Sequence, residues 1–132
     1  MLKALKVILI VFGALSALSG LMHIFAPEML KAMIGLGEMP EACKPALLSM
    51  TMVGVSFVAA GIFLIIAGSR DILRNILWVQ FALLWSILAV AGAVYSVLMG
   101  YVAFNQVMMM VIMDGVFFIL LLAFYPWGRT ED

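Results

Sequence analysis

Residues 102–125 read VAFNQVMMMVIMDGVFFILLLAFY, and a single formal charge, Asp114, stands in the middle of them. An apolar run of this length crosses the ~30 Å hydrocarbon core of a bilayer as one helix. Around the acid everything is hydrocarbon: Val111, Ile112 and Met113 before it, then Gly115, Val116, Phe117 and Phe118 after it. A carboxyl at the centre of a span costs roughly 2.5–3.5 kcal/mol on insertion scales, so it is expected to face a bundle interior and find a partner there. The remaining spans are therefore expected to form walls around this acid.

Composition supports that setting. Of 132 residues, 67% are hydrophobic and only 11% charged, and the mean hydropathy is +1.28. A soluble domain carries about 25% charged residues. So much apolar surface does not fit inside one small soluble core, and bilayer is its natural solvent. The formal net charge is zero, which gives no footprint for nucleic acid. The lone cysteine, Cys43, leaves no intrachain disulfide and no cysteine-based metal motif. It reads as an inert loop residue.

Working outward, three more apolar runs appear. The spans are expected at about 5–26, 46–68, 72–99 and 102–125. The fold class is all-α: a four-helix transmembrane bundle, up-down, in a single domain. Ala17-Leu18-Ser19 resembles a signal-peptide cleavage site, but the apolar run continues through Leu21, Met22, Ile24 and Phe25, which favours a span. Between the first two spans, Pro27-Glu28 reads as a helix start and Gly35 as its stop. Met29, Leu30, Met33 and Ile34 would form its apolar face, so a short interfacial helix is expected there. Gly100 to Gln106 leaves little room for a loop, so the third and fourth spans should be antiparallel neighbours.

Small residues mark candidate packing faces. Ser16, Ser19, Gly20 and His23 share one face of the first span, predicted to turn inward. In the second span Ser49, Ser56 and Ala60 lie on one face, and Gly54, Gly61 and Gly68 on nearly the opposite one. Gly92, Ser96 and Gly100 line the third. Glycine faces let helices approach closely, so Gly54, Gly61 and Gly68, or Gly92, Ser96 and Gly100, are candidate contacts with other membrane subunits or a second copy. Trp78 suits an aromatic belt. Trp85 lies deeper and is expected to pack in the bundle. Gln80 is a buried amide in need of a partner. Tyr125, Pro126 and Trp127 close the last span.

Basic residues set the orientation. Lys3, Lys6, Arg70, Arg74 and Arg129 fall on one side, and Lys31 and Lys44 on the other with Glu28, Glu38 and Glu41. The positive-inside rule then puts both termini in the cytoplasm of an inner-membrane protein.

Depth separates the polar residues into two layers. At about 1.5 Å per helical residue, Asp114 lies roughly 18 Å below the outer end of its span, and Ser16, Ser56 and Ser86 fall at a similar level in theirs. His23 lies about 4–5 Å below the outer surface, level with Gln106 and with Glu28 just above. Asp114 then has two readings. As architecture it is protonated and donates to a serine hydroxyl or a helix carbonyl. As function it is a ligand or proton site. His23 reads first as an amphipathic anchor or packing residue, with a ligand or metal role as the alternative. Haem would want a second axial donor or an open pocket. Met108, Met109, Met110 and Met113 read as lipid-facing or core filler, with a copper or hydrophobic-ligand site as the minor alternative. There is no nucleophile with a histidine base at matching depth, no phosphate loop and no cysteine pair, so an enzyme acting on its own is not expected.

The stretch Gly20-Leu21-Met22-His23-Ile24-Phe25-Ala26-Pro27-Glu28 closes the first of four spans. With the Gly54 to Gly61 span and the Arg70-Asp71-Ile72-Leu73-Arg74 turn, it resembles the DoxX-like small four-helix membrane proteins and their BphX-like relatives. The resemblance covers the whole chain in layout and a few residues in motif. It implies a bacterial-type inner-membrane bundle, some of whose relatives are linked to redox or quinone-associated systems, and it carries over no catalytic residue. Small multidrug transporters share the size, but their essential acid sits in the first span, which has none here. The expectation is a non-catalytic membrane protein: a subunit or accessory of a membrane complex, or a binder of a quinone or lipid, with no cofactor otherwise expected. The alternative is a proton-coupled small transporter using Asp114.

Overall fold

The computed structural model describes residues 2–27, 29 and 45–128, with 45–47 as backbone alone. Among them are four helices and no strand: α1 (Leu2–Phe25), α2 (Pro45–Ser69), α3 (Ile76–Leu98) and α4 (Phe104–Ala123). All four are long and apolar enough to cross a membrane. Helix is the conformation such runs take there, because hydrocarbon offers the backbone no hydrogen-bond partner of its own. Apart from Pro27 and Met29, the expected interfacial helix lies outside the described residues, and so does Glu28.

The third span begins later than the expected residue 72, and its entry chemistry explains why. The Leu73 N–H donates to Asp71 Oδ1 at 3.1 Å, and Asn75 Nδ2 donates to the Asp71 carbonyl at 2.7 Å. These local bonds compete with the helical ladder, so a turn occupies 70–75 and the helix starts at Ile76. Ile72 leaves the helix but not the core, where it is 1% exposed.

The α3–α4 connection is equally specific. Gly100 has φ +73°. Its N–H donates to the Val97 carbonyl at 3.0 Å, and the Tyr101 N–H to the Ser96 carbonyl at 2.9 Å. This is a Schellman stop, in which a left-handed glycine satisfies the last carbonyls of α3. The next helix opens with the Ala103 N–H donating to Gln106 Oε1 at 2.9 Å, half of a capping box.

Helix neighbours follow from side-chain contacts. Phe12 of α1 stacks on Phe117 of α4 with ring centroids 4.4 Å apart. Phe63 of α2 stacks on Trp78 of α3 at 4.9 Å, and Phe57 meets Trp85 edge-on at 5.7 Å. The bundle is therefore up-down, with a terminal end that carries Leu2, the 70–75 turn and Trp127, and a loop end that carries Phe25, Pro45 and Gly100. Its core lies toward the terminal end. There Leu5, Leu9, Phe12, Leu64, Ile72, Val79, Ala82, Phe117 and Leu121 form one cluster.

Helices α1 and α2 pack far more closely than the other pairs, through glycines. A Cβ on Gly13 would lie 2.6 Å from the Gly61 carbonyl oxygen, and one on Gly20 would lie 2.5 Å from that of Gly54. A Cβ on Gly68 would meet the Lys6 carbonyl oxygen at 2.8 Å. Here the glycine hydrogens point at the facing backbone, which favours weak Cα–H···O contacts along the seam. The stripe Gly54, Gly61 and Gly68 is thus filled by α1 of the same chain. This corrects its assignment as a face for other subunits.

Candidate functional site

Three polar places emerge, and they are not the two layers expected from depth alone. The first lies between α1 and α4, just beyond the core. From the Phe12–Phe117 stack, Ser16 lies one turn on along α1, and Asp114 lies one turn back along the antiparallel α4. The two therefore share a level and face the same seam. Asp114 is 5% exposed and Ser16 7%.

Neither side chain makes a hydrogen bond among the described residues, yet no fully enclosed polar atom lacks a partner. The carboxyl and hydroxyl tips must therefore border open space in the seam. The partner expected for Asp114 is not formed. Ser86 is fully buried but is committed to its own helix, donating to the Ala82 carbonyl at 2.9 Å.

Ser56 does not belong to this layer. It is exposed, and its hydroxyl donates to the Met52 carbonyl one turn back at 3.0 Å. That back-bond lets a serine face hydrocarbon without an unmet donor, which removes the reason to turn it inward. Its stripe-mate Ala60 is buried.

The second place is His23, near the loop end. Its Nδ1 lies 2.7 Å from the Ser19 carbonyl oxygen. A carbonyl only accepts, so Nδ1 carries the hydrogen of this bond. The ring meets Phe57 edge-on at 5.4 Å, and Phe57 in turn meets Trp85. His23 is the first member of an aromatic row that continues through Phe81 to Trp78. Gln106 does not join it, because its amide oxygen caps α4. Among the described residues no group of three or more His, Cys, Asp or Glu side chains could hold a metal ion.

The third place is a groove between α3 and α4 toward the terminal end. It has a volume of about 350 Å³ and is lined by Gln80, Leu83, Leu84, Ile87, Phe118, Tyr125 and Trp127. It opens outward, where a bilayer would lie against it. Gln80, which the sequence predicts to be buried, is exposed, and its Nε2 donates to the Tyr125 hydroxyl at 2.9 Å. Tyr125 packs against the Trp127 ring at 4.8 Å, and Trp127 Nε1 donates to the Leu122 carbonyl at 3.4 Å. The sequence marks Tyr125 only as an interfacial aromatic. An amide on α3 and a tyrosine closing α4, both toward one end of a helical hairpin, are the signal that could have paired them.

Comparison with known proteins returns nothing: no family model matches the chain, nor does any curated protein or solved structure.

Proposed function

We propose that this is a small non-catalytic polytopic membrane protein that holds a hydrophobic small molecule, a quinone or a lipid, in the groove between α3 and α4. The observation that carries the reading is the groove itself, with hydrocarbon walls and its polar atoms gathered at one end. Ligand sites of this kind pair broad apolar surface with a few placed polar groups. The same protein would serve as a subunit or accessory of a membrane complex. The open face around Gly92, where a Cβ would meet nothing within 4 Å, would then be the contact with other subunits or a second copy. A DoxX-like membership, an inner-membrane location and cytoplasmic termini are consistent with the layout and remain part of the proposal.

A second reading, a proton-coupled small transporter, has one observation in its favour. Asp114 is buried without a hydrogen-bond partner among the described residues. Its carboxyl lies outside the groove lining, so the two readings use different parts of the molecule.

The test is purification in a mild detergent followed by solvent extraction and mass spectrometry of what stays bound. The expected result is a stoichiometric quinone or lipid, lost when Leu84→Phe and Ile87→Phe fill the groove. A protein that retains nothing above the detergent background, or retains the same molecule after the groove is filled, overturns the reading.

A further inference from the structure

We infer that the seam between α1 and α4 holds the ammonium group of a hydrophobic primary amine, with Asp114 as its counter-ion and Ser16 as a further acceptor. This site is separate from the α3–α4 groove and does not depend on the groove reading. It gives the buried acid a ligand class.

Ser16 behaves unlike the other helical serines. Ser56, Ser69, Ser86 and Ser96 each donate to a carbonyl of their own helix, at 2.8–3.0 Å. That bond is how a serine in hydrocarbon satisfies its hydroxyl. Ser16 is 7% exposed and makes no such bond, although the Phe12 carbonyl lies one turn back. Asp114, 5% exposed, has no hydrogen bond or ion pair with a described residue either. Two polar side chains on facing helices, both more than nine-tenths buried, are thus left unengaged at one level. Their oxygens still border space that a small group can reach, because no fully enclosed polar atom lacks a partner.

The surroundings give this place a floor and an opening. Below it the Phe12–Phe117 stack and the core around Leu9 and Leu121 seal the terminal side. On α3, Ser86 is fully buried and bonded to its own helix, which closes that side. Toward the loop end the seam opens. No residue of α4 from Phe104 to Met113 is buried, and beyond Ser16 the one buried residue of α1 is Gly20, which faces α2.

The donor set selects the occupant. Asp114 Oδ1 and Oδ2 and Ser16 Oγ are three acceptors carrying at most one negative charge. A primary ammonium has three N–H donors and one positive charge, so it matches both the number of acceptors and their charge. An oxygen-seeking divalent cation takes about six or more ligands and would leave a net positive charge in hydrocarbon. The amine can cross the hydrocarbon neutral and take the proton of the Asp114 carboxyl onto its nitrogen, which leaves an ion pair inside the seam and carries no bare charge through the bilayer. Its carbon chain then runs up the apolar seam toward the loop end.

The experiment uses the full chain in neutral maltoside micelles and potassium phosphate. Hexylamine binding is measured by titration calorimetry and corrected for titration into empty micelles. Wild type is expected to bind saturably at one site. Asp114→Asn, folded by its melting curve, should weaken binding about tenfold or more, because a charged hydrogen-bond partner is lost. Ser16→Ala keeps the counter-ion and removes one acceptor, so it should weaken binding about two- to tenfold. Hexyltrimethylammonium has the same charge and chain but no N–H, and should bind more weakly than hexylamine. Filling the α3–α4 groove with Leu84→Phe and Ile87→Phe should leave hexylamine binding unchanged.

Each contrary result overturns the inference. Absence of saturable binding, or wild-type binding by folded Asp114→Asn, removes the site. Wild-type binding by Ser16→Ala, or equal binding of hexyltrimethylammonium, removes the match of three acceptors to three donors. Displacement by sodium chloride but not by potassium chloride of equal strength marks a metal-ion site instead. Loss of hexylamine in the filled groove moves the amine there. None of the first three outcomes touches the groove reading, which is tested by its own retained molecule.

Discussion

Gly20 and Gly54 each occupy the space that a side chain on the other would need: a Cβ on Gly20 would lie 2.5 Å from the Gly54 carbonyl oxygen, and a Cβ on Gly54 would lie 2.7 Å from that of Gly20. Real Cβ atoms do not come so close to backbone oxygens, and no side chain can rotate away to relieve the clash. Gly13 and Gly61 repeat the arrangement, seven residues back along α1 and seven on along α2. The α1–α2 hairpin is therefore held at a separation that only glycine permits.

The first prediction follows directly. Gly20→Leu and Gly54→Ala should each lower the melting temperature in detergent, by an overpacking cost of roughly 1–3 kcal/mol. Gly92→Ala is the control, because nothing lies within 4 Å of its added methyl. It should be neutral or slightly stabilising, since alanine favours helix over glycine by about 1 kcal/mol. Equal melting temperatures for all three variants would refute the close α1–α2 seam.

Gly100 tests a different use of glycine. Its φ of +73° is a conformation that costs an L side chain roughly 1–2 kcal/mol. Gly100→Ala should therefore destabilise the α3–α4 turn by about that amount, although its Cβ would meet nothing within 4 Å. The readout is thermal unfolding beside Gly92→Ala. A Gly100→Ala variant as stable as Gly92→Ala would show that the turn does not require the glycine.

These residues also show what could be read from sequence. Four spans were legible because an apolar run of ~20 residues has few alternatives to a membrane helix. Which face each helix buries was much less legible. In water a polar face marks the outside, but in a bilayer the outside and the inside are both apolar, so the pattern loses its contrast. Ser56 illustrates this: its residue type points inward, but it bonds the Met52 carbonyl and faces outward. The stripe of Gly54, Gly61 and Gly68 was legible as a close-packing face, while its partner was not, because Gly13 had to be read together with Gly20 seven residues on. Gly100 fits a packing stripe by its spacing but is a helix stop. At the candidate sites, Asp114 and Ser16 were placed at one level by helix rise alone. The expected hydrogen bond of Asp114 failed because depth fixes height in the membrane and not the distance between side-chain tips.

Orientation is tested by labelling. The five-to-two split of basic residues favours the terminal end in the cytoplasm. In intact cells an impermeant maleimide should modify Cys43, in the connection between α1 and α2. It should fail to modify Asp71→Cys in a Cys43→Ser background until the membrane is opened. Asp71 is suitable because it is exposed, whereas neighbouring Ile72 is 1% exposed. The reverse labelling pattern would invert the topology.

The last prediction concerns Asp114 and separates architecture from function. An acid kept for architecture repays its insertion cost through a hydrogen bond, and its removal leaves a buried partner unmet, at about 1–3 kcal/mol. The seam shows no such bond: Asp114 and Ser16 are both buried, and neither has a hydrogen-bond partner among the described residues. Removing a buried polar group that satisfies nothing should cost little, or stabilise. Asp114→Leu and Ser16→Ala are therefore expected to melt at or above the wild-type temperature, and Asp114→Asn close to it. A fall of about 1–3 kcal/mol for Asp114→Leu would instead reveal a partner and return the acid to an architectural role. If stability is unchanged, the acid is retained at a cost in insertion that the fold does not need, and a ligand or proton role becomes the reason to keep it. A hydrophobic carbodiimide, which reaches membrane-buried carboxyls, should then modify wild type at one site and leave Asp114→Asn unmodified, as read by intact-protein mass. Proton-driven uptake into vesicles that is abolished in folded Asp114→Asn would favour the transporter over the groove-binding protein. Groove binding that is unchanged in the same variant would keep the two sites independent.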